Sequence, residues 1–301
     1  MLGGFTINKF VKSISHMLLK PDWTKFYKIH RILLKAKEPY ITRPIYKRYD
    51  RTIKAGKYSV PVRIYPQKNS NTVLIYIHGG GWATENINTY NKTCKNLSIH
   101  CDCTVIAIDY SLSPEHKFPQ ATKECYIVVQ SVLKKMQKLG KKVILIGDSA
   151  GGNLCAVVSL MSRDKNALMP NKQILLYPVT YYDYTQTSPF KSIHENATDY
   201  ILTSKRMHEY VSLYANNIED FVNPYFSPLC AKDFSNQPDT LILTAQFDPL
   251  RDEGEYFGKM LNKANNNVKV IRMKDVMHGF FVHDKKAMLQ TYNIINSYLD
   301  N

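Results

Sequence analysis

The chain has 301 residues, 44% of them hydrophobic and 22% charged, with no low-complexity tract and no internal repeat. That length can bury a sizeable α/β core, and that composition excludes a disordered, collagen-like or disulfide-stapled protein. The net charge of +15 is of the kind that attracts nucleic acid or an anionic surface, but no nucleic-acid-binding motif accompanies it, so no nucleic-acid partner is expected.

The charge is concentrated at the start. Residues 1–57 hold fourteen lysines and arginines against three acids, a net +11. This stretch reads as a solvated basic face, with weak contact to an anionic surface as its one additional role. No apolar run reaches the roughly 18 residues that a membrane span needs. The apolar stretch at 14–19 is too short, and too broken by His16, to be a signal peptide, so residues 7–19 read as an amphipathic helix. A second helix follows Pro21 and Asp22, with Trp23, Phe26, Tyr27, Ile29, His30, Leu33 and Leu34 at three- and four-residue spacings.

An early strand is expected at 58–65, and Pro61 suggests that it lies at a sheet edge. Short apolar runs at 73–77, 104–108, 143–146, 173–177, 240–244 and 268–271 then alternate with helical segments near 88–100, 119–138, 151–163, 254–265 and 285–299. Strands separated by helices predict an α/β fold, a mainly parallel sheet covered on both faces. Such sheets place their chemistry beyond the carboxyl ends of the strands. About fifty residues between Pro178 and Ser227 break the alternation, with one helix near 203–217. We expect residues 181–223, together with 1–50, to form a helical cap on a single domain spanning 1–301. The six cysteines show neither paired CxxC spacing nor a zinc pattern; the simplest reading is buried thiols in a reducing compartment, hence the cytoplasm, with no metal site.

Three segments carry the chemistry, all placed after strands. Gly147-Asp148-Ser149-Ala150-Gly151-Gly152 follows the strand at 143–146 and opens a helix. A serine between glycines at such a junction is a nucleophile elbow, because the glycines leave room for a strained turn that lifts the hydroxyl clear of the backbone. Upstream, His78-Gly79-Gly80-Gly81-Trp82 follows the strand at 73–77, and its uncovered backbone N–H groups can meet a substrate oxygen. Gly79, Gly80, Gly81 and Ala150 are therefore the oxyanion-hole candidates, and His78 is expected to brace the glycine turn. Downstream, Asp248 and Asp252 follow the strand at 240–244, and His278 precedes the final helix. Ser149, Asp248 and His278 thus appear in the order nucleophile, acid, base. Asp252 fits an acid at a helix N-terminus. Trp82 and Tyr181 are candidates for narrowing an acyl pocket.

The His-Gly-Gly-Gly and Gly-Asp-Ser-Ala-Gly-Gly motifs, with Asp109–His116, Ser227-Pro228-Leu229, Asp248–Asp252 and His278-Gly279-Phe280, resemble the hormone-sensitive-lipase-like branch of the α/β-hydrolases, which contains bacterial acetyl and carboxyl esterases. The resemblance covers residues 73–301. It implies the α/β-hydrolase fold, Ser149 as nucleophile, Asp248 rather than Asp252 as triad acid, a small ester as substrate, acyl groups from acetyl to about hexanoyl, and no cofactor. Relatives often pair, so a homodimer is an open expectation. The sequence departs from the family where Ser111 and Ser113 replace the usual arginine and alanine. Two other readings share the residue order. A serine peptidase of the prolyl-oligopeptidase type would need an N-terminal propeller, for which about 70 residues leave no room. A non-catalytic ligand-binding relative would be expected to lack a triad member.

Overall fold

The computed structural model describes residues 23–41, 49–198 and 200–300; the predicted helix at 7–19 lies outside them. Eight strands form one sheet: β1 (Asp50–Ala55), β2 (Tyr58–Tyr65), β3 (Thr72–Ile77), β4 (Thr104–Ile108), β5 (Lys142–Asp148), β6 (Lys172–Leu176), β7 (Asp239–Phe247) and β8 (Val268–Met277). Their spatial order is β1-β2-β4-β3-β5-β6-β7-β8. Strands β3 to β8 run parallel, and β1 and β2 pair antiparallel at one side.

The period-two alternation of a strand divides the core in two. Val73, Ile75 and Ile77 of β3, with Val143 and Leu145 of β5, face one layer, formed largely by α3 (Gln120–Gln137) and α4 (Ala150–Asp164). Leu74 and Tyr76, with Ile144 and Ile146, face the other, which holds Cys94 and Leu97 of α2 (Asn91–His100) and Tyr292 and Ile295 of α9 (Lys285–Asp300). Helices on both faces explain why the central strands are continuous apolar runs.

Strand β1 was not expected. Its sequence, Asp-Arg-Thr-Ile-Lys-Ala, has no apolar run, and pairing with β2 holds it. It also corrects the position of β2, which is not an edge. Pro61 is tolerated for another reason. Its carbonyl accepts from Asp109 N at 3.0 Å, just past the end of β4, so the missing N–H points where the ladder with β4 has already stopped. Opposite Thr52 of β1, Pro61 forfeits no bond.

Between β6 and β7 lies the long insertion, with α5 (Lys191–Glu195) and α6 (Ser204–Tyr214). Thr203 caps α6 by accepting from Arg206 N. Met207, Tyr210, Val211 and Tyr214 of α6 are buried and extend the first core layer outward. Helix α1 (Trp23–Ile41) packs on α6 and buries Tyr27. The remaining helices, α7 (Arg251–Lys263) and the short α8 (Phe280–His283), follow β7 and β8.

Candidate active site

Ser149 stands alone between the end of β5 and the start of α4, with φ 54° and ψ −121°. A non-glycine residue with positive φ is strained, and the surrounding packing must hold it there. The glycines around it make this possible. A methyl group on Gly147 would lie 2.4 Å from the Gly151 carbonyl, and one on Gly151 would lie 2.0 Å from the carbonyl of Ile77. The elbow closes only with both side chains absent.

The structure brings the three predicted residues together. His278 Nε2 lies 3.0 Å from Ser149 Oγ, and His278 Nδ1 lies 2.7 Å from Asp248 Oδ2. Asp248, directly after β7, is fully buried, and its other oxygen accepts from Leu250 N at 2.9 Å. His278 directly follows β8, and its ring stands at 64° to that of Tyr177 at a centroid distance of 4.8 Å. Asp252 is engaged elsewhere. It pairs with Arg251 at 2.7 Å and accepts from Ser192 N at 2.8 Å, and the hydrogen bonds from these partners hold its carboxyl below the usual range despite partial burial.

The glycine turn after β3 faces this triad-like chain. Gly80 and Gly81 have φ of 102° and 59°, and the Gly80 carbonyl accepts from Ala83 N, Thr84 N and Thr84 Oγ1. Among the described residues, the N–H groups of Gly80, Gly81 and Ala150 donate to no protein acceptor. Gly79 is a correction to the expected donor set. Its N–H is consumed by Asp148 Oδ1 at 3.0 Å, so it braces the turn and is not free for an oxyanion. His78 braces it too: Nδ1 donates to Gly79 O at 2.8 Å, and the ring stacks on Tyr110 at 4.3 Å.

Asp148 is a residue the motif reading passed over. Its buried carboxylate gathers Tyr76 Oη at 2.8 Å and Gly79 N at 3.0 Å on Oδ1, and Tyr90 Oη at 2.8 Å on Oδ2. Burial pushes its pKa up, against the pull of the two tyrosine hydroxyls. It thereby ties the residue before Ser149 to the glycine turn. Glu253, in the first turn of α7, was also missed. Fully buried, it accepts from Thr180 N at 2.6 Å, Tyr181 N at 3.1 Å and Tyr184 Oη at 3.2 Å, which roots the insertion beside Asp248. Burial pushes its carboxyl up to about 8.

The pocket candidates separate. Trp82 is 0% exposed and stacks on Tyr214 at 4.4 Å, so it offers no wall to substrate here; its role is to pack the insertion against the core. Tyr181 is half-buried among Tyr182 and Phe190. The ring that does cover the glycine turn is that of Tyr210 on α6, so close that a methyl on Gly81 would lie 2.3 Å from it. No sequence pattern pointed to it. At the family departure, Ser111 uses its N–H and hydroxyl on Glu124, at 2.7 and 2.8 Å, and the Ser113 carbonyl accepts from Arg31 of α1. Among the described residues, no three His, Cys, Asp or Glu side chains converge as a metal site.

The family model for the alpha/beta hydrolase fold matches residues 74–282, a stretch that includes every residue of this constellation. The chain belongs to that family. It is 34% identical over 271 residues to an arylesterase of Saccharolobus solfataricus, covering 86% of each chain. It is 29% identical over 232 residues to an ethyl acetate hydrolase of Pseudomonas putida, covering 74% of this chain and 72% of that one. The solved structure of a hyperthermophilic esterase from Pyrobaculum calidifontis superposes with a TM-score of 0.83 at 29% identity, covering 98% of both chains. These similarities put the α/β-hydrolase in the hormone-sensitive-lipase-like esterase branch.

Proposed function

We propose that this α/β-hydrolase is a serine carboxylic ester hydrolase for short acyl groups, acetyl to about hexanoyl. The observation that carries the reading is the continuous hydrogen-bond chain Ser149–His278–Asp248 beside three undonated backbone N–H groups. His278 takes the Ser149 proton as the hydroxyl attacks the ester carbonyl, and Asp248 fixes the imidazole tautomer and stabilises its charged form. The N–H groups of Gly80, Gly81 and Ala150 hold the oxyanion. His278 then protonates the leaving alcohol, and water activated by the same base releases the acid from Ser149. This sequence of proton transfers calls for no cofactor.

Two features support a short acyl group. Tyr210 presses on the third glycine of the turn, and Trp82, Tyr214 and Phe226 fill the space beside it. The Pseudomonas putida relative is itself named for a two-carbon acyl ester. Helix α1 and the 181–223 insertion act as the cap that sets pocket depth. The described cysteines, all free thiols, suit a reducing compartment. The test is a panel of p-nitrophenyl esters from acetyl to palmitoyl, with sugar acetates included, on the wild type and Ser149→Ala. The reading requires turnover that falls along the acyl series and vanishes in the folded variant. Turnover by Ser149→Ala, or a maximum at palmitoyl, overturns it.

A further inference from the structure

Helix α1 turns one side to the protein and another, unlike an ordinary surface helix, to solvent with large apolar groups. Inward, Tyr27 is buried, and Arg31 reaches Ala83 O at 2.7 Å and Glu115 Oε2 at 2.8 Å. Outward, Phe26, Ile29, Ile32 and Leu33 are 41%, 51%, 66% and 55% exposed. At 100° per residue these four fall within one arc of the helix. Lys28 and Lys35, both exposed, lie beside that arc. A soluble surface helix puts polar residues on its outer face; a contiguous apolar one marks an interaction site.

We infer that the outer face of α1 docks onto an anionic lipid surface, lying in the interface with Phe26, Ile29, Ile32 and Leu33 among the acyl chains and the lysines at the headgroups. Charge selects this occupant. A second copy would bring the same lysines to the contact, and residues 1–22 carry Lys9, Lys12 and Lys20 against the single acid Asp22. Both repel a basic stripe; anionic headgroups complement it. No helix among the described residues is long and apolar enough to cross a membrane, which fits a helix that lies on the surface. Arg31 grips the carbonyl of Ala83, one turn beyond the glycines, so the docked face is bolted to the candidate site. The inference stands on α1 alone and does not depend on the proposed reaction.

The test is co-sedimentation of the full chain with phosphatidylcholine vesicles, with and without phosphatidylglycerol, at low and high salt. Two double variants accompany the wild type: Lys28→Glu with Lys35→Glu, and Ile29→Ser with Leu33→Ser. Far-ultraviolet circular dichroism and the urea-unfolding midpoint, expected to be unchanged, report that both remain folded. The wild type should bind only the anionic vesicles and release them at high salt. Each lysine near such a surface is worth about fivefold in binding, so the charge reversal should weaken it by at least about 25-fold. The serine pair should also weaken it, which a purely electrostatic contact would not show. Absence of binding by the wild type overturns the inference. So does equal binding by both variants, which would assign the contact to another segment, or a dimer that only the serine pair dissociates, which would make a second copy the occupant.

Discussion

Replacing Asp148 by alanine removes the acceptor of three buried donors: Tyr76 Oη, Tyr90 Oη and Gly79 N–H. A buried donor left without a partner costs about 1–3 kcal/mol, so the loss should be about 3–9 kcal/mol. That is a large share of the 5–15 kcal/mol or so that holds a domain folded. Asparagine separates hydrogen bonding from charge. Its oxygen still serves Tyr76 and Gly79, and its amide can donate to the Tyr90 hydroxyl, so only charge assistance goes, about 1 kcal/mol. Urea unfolding followed by tryptophan fluorescence measures both. Ester turnover should report the turn: freeing Gly79 unclips the glycines, and misplaced oxyanion donors cost on the order of 100-fold in kcat. Asp148→Ala as stable as wild type within about 1 kcal/mol, with full turnover, would refute the reasoning.

Glu253 gives a pH dependence with a definite sign. Its folded pKa is raised to about 8 from 4.5, so its contribution is complete below the unfolded value and is lost as pH rises through about 8. The wild-type urea midpoint should therefore fall between about pH 5 and pH 9, and Glu253→Gln, which keeps an oxygen for Thr180 and Tyr181, should flatten that fall; equal slopes would count against the assignment. Gly81→Ala combines a φ of 59° with a methyl driven into the Tyr210 ring. Its kcat should drop on the order of 100-fold or more, and an active alanine variant would remove Gly81 from the donor set. Asp248→Asn leaves the packing in place but presents an N–H where His278 needs an acceptor. The expected loss in kcat is on the order of 10⁴-fold, read by steady-state kinetics, and a loss under tenfold would exclude the role.

What could be read from the sequence follows from which forces are local. The central strands announce themselves because both faces are buried, and the elbow because Gly147 and Gly151 have no alternative at their contacts. The order of Ser149, Asp248 and His278 could be read because each directly follows a strand end. Strand β1 was hidden, since pairing with β2, rather than an apolar run of its own, marks it as a strand. Gly79 was misassigned for a similar reason: whether an N–H is free depends on Asp148, 69 residues away. Trp82 looked like a pocket wall because it adjoins the glycines, but Tyr214 and Phe226, from the distant insertion, bury it. Tyr210 has no sequence signal; only the docking of α6 brings it over Gly81.

The most direct measurement is intact and peptide mass spectrometry after brief exposure to a fluorophosphonate, in the wild type and Ser149→Ala. The mechanism predicts one adduct per chain, on the peptide that holds Ser149, with loss of ester turnover in proportion to labelling. An unlabelled wild type that hydrolyses esters, or an adduct on another residue that abolishes turnover, would contradict it.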